Sequence, residues 1–368
     1  MSAPSLRSFA LQDNESHMPD GTLKLFDNHT PCLERLSLSC VRWLPTNAFA
    51  NLTFLAIKSC IIPKFCAKLR SLLAGTPNLV DLGLRCVTDG ADGYKHHEPT
   101  DTKPVSLARL RRLLIQHMWV DDIDYVFRDA RLNEDVSVSI KKMITHYGHG
   151  RQILELVSTW SLNALKQSKE PHLQPHVAIV AGASSGFRFA VERRTTPEDW
   201  TTFDELWMLS LSSISHLCTF EWDACHGVFS LERVRNLLRQ MTALETLSVN
   251  IEGLTSVVDA LTLFRDPIDP PLCPALTTLR IAIRKDSDCN IVLDSVHSHR
   301  AQLGIKHLYI GLVNPENGHW TPRQTVKDQL QGNFESVKFG TLSYDKAYGI
   351  TLPLVCDEEV HRLWPPWL

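Results

Sequence analysis

Apolar residues recur along the chain as a triplet in which the second follows the first by three positions and the third follows it by five. Four copies carry a proline two residues ahead. They are Pro4-Ser5-Leu6 with Phe9 and Leu11, Pro31-Cys32-Leu33 with Leu36 and Leu38, Pro77-Asn78-Leu79 with Leu82 and Leu84, and Pro274-Ala275-Leu276 with Leu279 and Ile281. Six more copies begin at Leu52, Leu110, Leu217, Leu244, Ile305 and Phe334. The last two apolar residues of a triplet share one face of a short strand, and their neighbours face the other way.

The starts at 6, 33, 52, 79 and 110 are separated by 27, 19, 27 and 31 residues, and those at 217, 244, 276, 305 and 334 by 27, 32, 29 and 29. These steps lie in or near the leucine-rich-repeat range. The gap from 110 to 217 has room for about three more units with drifted signatures, so residues 120–205 are read as degenerate repeats. Val136-Ser137-Val138-Ser139-Ile140 and Val177-Ala178-Ile179-Val180 are expected strands within it. A competing triplet at Leu206, Leu209 and Leu211 leaves the register near 217 open.

Between strands the apolar period becomes helical. Leu231, Val234, Leu237, Leu238 and Met241 form a stripe after Ser230, and Leu254, Val257, Val258, Leu261 and Phe264 form another. Thr321-Pro322 opens a third helix in N-cap and N1 fashion, with Val326 and Leu330 inward and Gly332 past its end. Leu69, Leu72 and Leu73 precede Gly75 before the next strand. One unit gains roughly 1.5–3 kcal/mol per buried apolar side chain, and ordering each of its residues costs about 1–2 kcal/mol, so no unit folds alone. The expected fold is α/β: one curved solenoid over residues 1–368, with a parallel sheet on the concave side and helices on the convex side. Residues 88–104, rich in Gly and Asp, read as a surface loop.

Composition narrows the function classes. Charged residues make up 21% and the net charge is -3, which recommends neither nucleic acid nor an anionic membrane as the general partner. No leader-like apolar stretch follows Met1 and no run approaches a membrane span, so cytoplasmic or nuclear residence is expected. The ten cysteines contain no Cys-x-x-Cys pair and read as buried, reduced packing thiols, Cys60 standing at the Asn/Cys position of the repeat.

Three segments carry candidate chemistry. Gly182-Ala183-Ser184-Ser185-Gly186 is similar to the cofactor loop of short-chain dehydrogenases and also satisfies Gly-x-Ser-x-Gly. Arg188 stands where the third dinucleotide glycine belongs, and Phe187, Phe189 and Val191 alternate as in a strand, which favours a hairpin turn over either site. His96-His97 lies among Asp92, Glu98 and Asp101, a composition typical of a solvated loop. Trp364-Pro365-Pro366-Trp367-Leu368 reads either as a polyproline ligand or as the seal of the last repeat. No catalytic residue, metal or cofactor is expected.

The Pro-x-Leu-x-x-Leu-x-Leu units, the irregular spacers, the opening Ala3-Pro4-Ser5-Leu6-Arg7-Ser8-Phe9-Ala10-Leu11 and the Trp/Pro-rich ending together resemble the leucine-rich-repeat region of fungal F-box proteins. The resemblance implies a protein-interaction module that presents a substrate protein to a cullin-RING ubiquitin ligase, the ligase adaptor being bound by an F-box. The first repeat begins at Leu6 and leaves no room for that helical module, which is expected to be truncated or lost, with Leu6, Phe9 and Leu11 on an open end. A stand-alone repeat scaffold unconnected with ubiquitin and, further off, an oxidoreductase using residues 182–186 are the other readings. Partner contacts are expected from the residues that alternate with the core: Arg35, Lys58, Arg85 and Arg112 first, then Ser37, Asp81, Gln116, Glu221, Asp223, Arg280, His307, Tyr309 and Lys338. The basic residues among them would steer an acidic partner segment.

Overall fold

The computed structural model describes residues 3–13, 24–89, 104–144, 150–167, 170–174, 177–181, 183–191, 211–219, 231–262, 271–313, 320–342 and 353–357. They fall into two compact units, one of Met1–Ala164, Ser184–Thr202 and Leu352–Leu368, the other of Leu165–Ala183 and Phe203–Thr351.

In the first unit the triplets produce β1 (Ser8–Gln12), β2 (Arg35–Ser39), β3 (Phe54–Ile62) and β4 (Asp81–Asp89). Next come β5 (Ser106–Leu107), β6 (Arg112–Gln116), β7 (Arg131–Leu132) and β8 (Ser137–Met143). The chain then makes β9 (Glu170–Gln174) and β10 (Val177–Ala181) of the second unit and returns with β11 (Gly186–Val191). The first unit's main sheet runs β1-β2-β3-β4-β6-β8-β11, and every pairing in it is parallel.

The register stacks like upon like. Phe9, Leu36, Leu55, Leu82, Leu113, Val138 and Phe187 form one row, and Leu11, Leu38, Ile57, Leu84, Ile115, Ile140 and Phe189 form a second. From Leu36 and Leu38 onward these side chains are at most 1% exposed. Phe9 and Leu11, on the edge strand, are half-buried. Each contact row merges the small apolar faces of single units into one core.

At the entries of β2, β3, β4 and β6 one carbonyl of the preceding unit accepts two successive amides. Arg7 O receives Glu34 N and Arg35 N at 2.8 and 2.9 Å, Glu34 O receives Thr53 N and Phe54 N, Thr53 O receives Val80 N and Asp81 N, and Val80 O receives Arg111 N and Arg112 N. At the exit, Cys40, Ser59, Cys86, His117 and Lys142 all have φ between 51° and 58°. Each follows the third apolar residue of its unit by two positions, so the same left-handed kink recurs whatever side chain occupies it.

Helices α1 (Phe65–Ala74) and α2 (Val120–Phe127) neighbour each other, with Cys66 Sγ 3.3 Å from Asp122 Oδ1 and with Cys66, Leu69 and Leu73 of the one and Ile123, Val126 and Phe127 of the other all buried. Arg70 links them. Its Nη1 donates to the carbonyls of Tyr125 and Val126 at 2.8 and 3.3 Å, and its guanidinium lies 5.8 Å from the Tyr125 ring centroid. A cation at a helix C-terminus satisfies carbonyls that have no partner within the helix. Helices α3 (Gly150–Thr159) and α4 (Asn163–Gln167) follow β8.

The second unit adds β12 (His216–Thr219), α5 (Leu231–Gln240), β13 (Thr246–Asn250), α6 (Ile251–Thr262), β14 (Thr278–Ile283), α7 (Asp288–Leu303), β15 (His307–Val313), α8 (Gln324–Gln331) and β16 (Ser336–Leu342). Its strands are ordered β10-β9-β12-β13-β14-β15-β16. Here too a carbonyl serves two amides at the entries of β13, β14 and β15, Ser215 O for Glu245 and Thr246, Glu245 O for Thr277 and Thr278, and Thr277 O for Lys306 and His307. Buried Asp288 closes the start of α7, its Oδ2 accepting Arg284 N and Lys285 N at 3.0 and 3.1 Å.

Several expectations change. The sheet is not wholly parallel, because β9 and β10 pair antiparallel with Val177 opposite Gln174. The degenerate stretch therefore holds two in-register repeat strands, β8 and β11, and a hairpin between them in sequence. Leu217 is the second apolar residue of its unit, not the first, since it faces Leu247 and buried Ile214 precedes it by three. The third helix starts at Gln324, two residues after Pro322, with Arg323 at its N-cap; Val326 and Leu330 are buried and Gly332 follows as expected. Thr88 and Asp89 end β4, and the rest of the expected loop up to Lys103 lies outside the described residues, as do Glu221, Asp223, the His96-His97 pair and the Trp364–Leu368 ending. No described helix is long and apolar enough to cross a membrane.

Candidate partner-binding surface

The face of the first sheet opposite the apolar rows carries three rows of its own. The first is Ser8, Arg35, Phe54, Asp81, Arg112 and Ser137; the second is Ala10, Ser37, Ala56, Gly83, Leu114, Ser139 and Arg188; the third is Gln12, Ser39, Lys58, Arg85, Gln116, Lys141 and Ala190. Strands in register stand about 4.8 Å apart, so the third row is a short ladder of cations interrupted by one glutamine.

Arg112 does not present its charge to a partner. It is 6% exposed and its Nε lies 2.5 Å from Oδ1 of Asp81, itself 5% exposed. Removal of both charges from water is tolerable only because each neutralises the other. The sequence placed Arg112 correctly on this face but could not show that the neighbouring strand supplies a carboxylate directly opposite. Arg35 and Lys58 are exposed and Arg85 is half-buried, and none of the three is in an ion pair among the described residues.

The structure adds Lys141 and Arg188 to this group, both half-buried. Burial, then Arg188, then Arg85 push the Lys141 ammonium down from its ordinary value to about 7. By register Arg188 stands on the strand next to that of Lys141 and Arg85 two strands to its other side, so the three cations share one stretch of the face. Beside them Ser139 is fully buried and its hydroxyl has no hydrogen-bond partner. A cluster of cations with an unused hydroxyl is complementary to an anion.

These residues escaped the sequence reading for a traceable reason. The repeat position before Val138 and Ile140 is Asp135, and that before Phe187 and Phe189 is Ser184, so neither unit has an apolar first residue. The two polar replacements meet: Ser184 Oγ donates to Asp135 Oδ1 at 2.8 Å, and Asn163 Nδ2 donates to the same oxygen at 3.0 Å. These bonds, Asn163 first, hold the Asp135 carboxyl below the ordinary carboxylate range. Gly186 N donates to Ser137 Oγ at 3.1 Å. Ser184 is thus a structural hydroxyl, and Gly186 opens a strand where both a dinucleotide loop and a nucleophile elbow require a helix.

A segment near the C-terminus, Pro353–Asp357, also contacts a residue of this face. Helix α9 (Leu354–Asp357) belongs to the first unit, with Val355 and Cys356 7% and 6% exposed and Leu354 79% exposed. Cys356 Sγ is 3.7 Å from Oγ of fully buried Ser137, across 219 residues of sequence.

Cysteine chemistry does not define a site. Cys60, Cys66, Cys218, Cys273, Cys289 and Cys356 are buried, but Cys32 is exposed and Cys40 and Cys86 are half-buried, contrary to the expectation of uniform burial. Burial pushes the Cys60 and Cys289 thiols up to about 11 and Cys273 to about 12, away from reactive thiolate. Among the described residues no group of three or more His, Cys, Asp or Glu could hold a metal ion.

The second unit's polar face is built differently. Its first row pairs His307 Nδ1 with Ser336 Oγ at 2.9 Å, and His216 Nε2 reaches Ser248 Oγ of the next row at 2.9 Å. Arg280, Tyr309 and Lys338 align in the second row, Arg280 and Lys338 exposed. A Cβ on Gly340 would stand 2.6 Å from the Tyr309 hydroxyl, so the ring lies across that glycine.

No protein-family model and no curated protein matches the chain. Among solved structures, the chain is similar to TLR13 in its complex with ssRNA13, with 14% identity, a TM-score of 0.30 and coverage of 84% of this chain and 36% of that one. The chain thus spans little more than a third of the TLR13 chain. It is also similar to LegL7, a leucine-rich repeat-containing protein of Legionella pneumophila, with 9% identity, a TM-score of 0.33 and coverage of 85% of this chain and 84% of that one.

Proposed function

We propose that residues 1–368 form one curved leucine-rich-repeat solenoid that acts as a protein-interaction module, its concave face gripping an acidic segment of a partner protein. The alignment of Lys58, Arg85 and Lys141 in one row, with Arg188 beside them, is the observation that supports this reading. Cations fixed on a rigid sheet need no reordering to meet an anionic strand, which favours fast and specific association. The role assigned is substrate recognition related to the F-box receptors of cullin-RING ubiquitin ligases, in the cytoplasm or nucleus, without catalysis by this chain.

Fluorescence anisotropy with a labelled Glu/Asp-rich peptide tests the surface. Lys58→Glu with Arg85→Glu should weaken binding at least about tenfold, since each rim charge governs on-rate and salt dependence; unchanged affinity would refute the assignment. Affinity purification tests the role. Recovery of the cullin adaptor supports the ligase reading, and its consistent absence supports a scaffold unconnected with ubiquitin. The oxidoreductase reading has a separate check: the unaltered protein should bind no nicotinamide cofactor, and Gly186→Val should change nothing in that assay.

A further inference from the structure

On the polar face of the second unit Gly311 and Gly340 stand directly opposite each other on β15 and β16. Two side chains lie over them. A Cβ on Gly340 would stand 2.6 Å from the Tyr309 hydroxyl and 3.4 Å from its Cζ, and a Cβ on Gly311 would stand 2.6 Å from Cγ and Cδ1 of Leu342 and 3.3 Å from Cε1 of Tyr309. The tyrosine ring and the leucine side chain therefore occupy the space that two ordinary side chains would fill, and both are half-buried. They form a low apolar pad, one part aromatic and one part aliphatic.

The polar rim of this pad is uncommitted. Tyr309 stands between Arg280 of β14 and Lys338 of β16 in one register row, where neighbouring strands are about 4.8 Å apart. Both cations are exposed. Elsewhere in this unit Arg284, Lys306 and Arg323 each face a carboxylate, those of Glu252, Glu335 and Asp286, at 3.0, 3.3 and 3.5 Å. Arg280 and Lys338 have no ion pair among the described residues, and the Tyr309 hydroxyl has no hydrogen-bond partner among them. Tyrosine and arginine are the side chains in which the binding energy of protein interfaces concentrates, because each joins a large flat contact to a polar tip.

We infer that this pad is a separate docking point for a partner segment in which an aromatic side chain stands beside carboxylates: the partner's ring rests on Tyr309 and Leu342, and its carboxylates meet Arg280, Lys338 and the Tyr309 hydroxyl. Charge complementarity selects this occupant over a basic one, which would bring a further cation against two that are already there. The ring supplies the apolar burial that a wholly acidic strand would leave unused. The site lies within the second unit alone and does not depend on the reading of the row of Lys58, Arg85 and Lys141.

Fluorescence anisotropy with a labelled Gly/Ser peptide bearing a central Asp-Phe-Asp tests the site, in the full chain carrying Lys58→Glu with Arg85→Glu so that the first unit's row is silenced. The peptide should bind, and its Asp-Ala-Asp counterpart should bind about tenfold more weakly. Adding Arg280→Glu with Lys338→Glu, both at exposed positions, should weaken the Asp-Phe-Asp peptide by about tenfold or more. Gly340→Ala keeps every charge and ring but its methyl displaces the end of Tyr309, so it should weaken binding too; Tyr309→Phe should cost only part of what Tyr309→Ala costs. Acetylation of Tyr309 by N-acetylimidazole, read by mass spectrometry on its own peptide, should slow when the Asp-Phe-Asp peptide is saturating. No binding, equal binding of the two peptides, binding untouched by Arg280→Glu with Lys338→Glu, or a Tyr309 acetylated as fast with peptide as without would each overturn the inference. The first unit's row is read separately, by the Glu/Asp-rich peptide on the unaltered protein, so either assignment can fail while the other stands.

Discussion

Asp81 and Arg112 show how a charge on the right face can still be withdrawn from solvent. Asp81→Ala would strand a buried guanidinium and should destabilise the fold by about 3–5 kcal/mol, whereas Asp81→Leu with Arg112→Met should cost much less, a contrast that urea denaturation resolves. Lys141 behaves differently, because its neighbours are cations. Its folded pKa of about 7 lies below the unfolded value, so the unfolded chain holds more protons between about pH 7 and pH 10.5. Stability should therefore rise with pH across that window and be lowest below it. An anion bound beside Lys141 reverses the repulsion, so an acidic peptide should bind with proton uptake and weaken from pH 6.5 to 8.5. In Lys141→Met this pH dependence should disappear; a persisting slope would place the titrating group elsewhere.

Strands were legible where the full apolar triplet stood, and helices α1, α5, α6 and α8 by their apolar stripes, whereas α2, α3 and α7 were not read. Nine of the ten triplets entered the sheets in the expected register, and Leu217 slipped by three because Ile214, not Leu217, opens its unit. Asp135 and Ser184 hid two more units by exchanging an apolar contact for a hydrogen bond at the same repeat position. Nothing in a single sequence reveals that trade until the two strands are paired. The left-handed exits at Cys40, Ser59, Cys86, His117 and Lys142 were equally invisible, since no glycine or asparagine marks them. Two substitutions separate core from turn. Leu279→Asp would bury a charge facing Leu247 and Leu308 and should cost several kcal/mol, while Ser184→Ala should cost about 1 kcal/mol or less, by thermal denaturation. Equal midpoints for the two would contradict the register of β14. Arg70→Ala should cost about 1–3 kcal/mol by uncovering the Tyr125 and Val126 carbonyls, and Arg70→Lys should recover only part of it.

Across the chain as a whole, recognition of an acidic segment by a few cations is governed by ionic strength. Raising salt from 50 to 500 mM shortens the screening length severalfold, so affinity should fall steeply for the unaltered protein and much less for Lys58→Glu with Arg85→Glu. Composition offered no hint of this, because a net charge of -3 averages over a surface on which cations are segregated by strand register. The contact between Ser137 and Cys356 has a temporal side as well. A repeat protein otherwise grows by adding neighbours, and each strand can settle as it is made. Ser137 must wait for a residue synthesised 219 positions later, which at about 5–20 residues per second is a delay of roughly 10–45 s. Every newly made copy thus passes through a period in which the Ser137 hydroxyl is still without its Cys356 neighbour, and the last contact of this part of the first unit is completed only after the strands of the second unit have been synthesised.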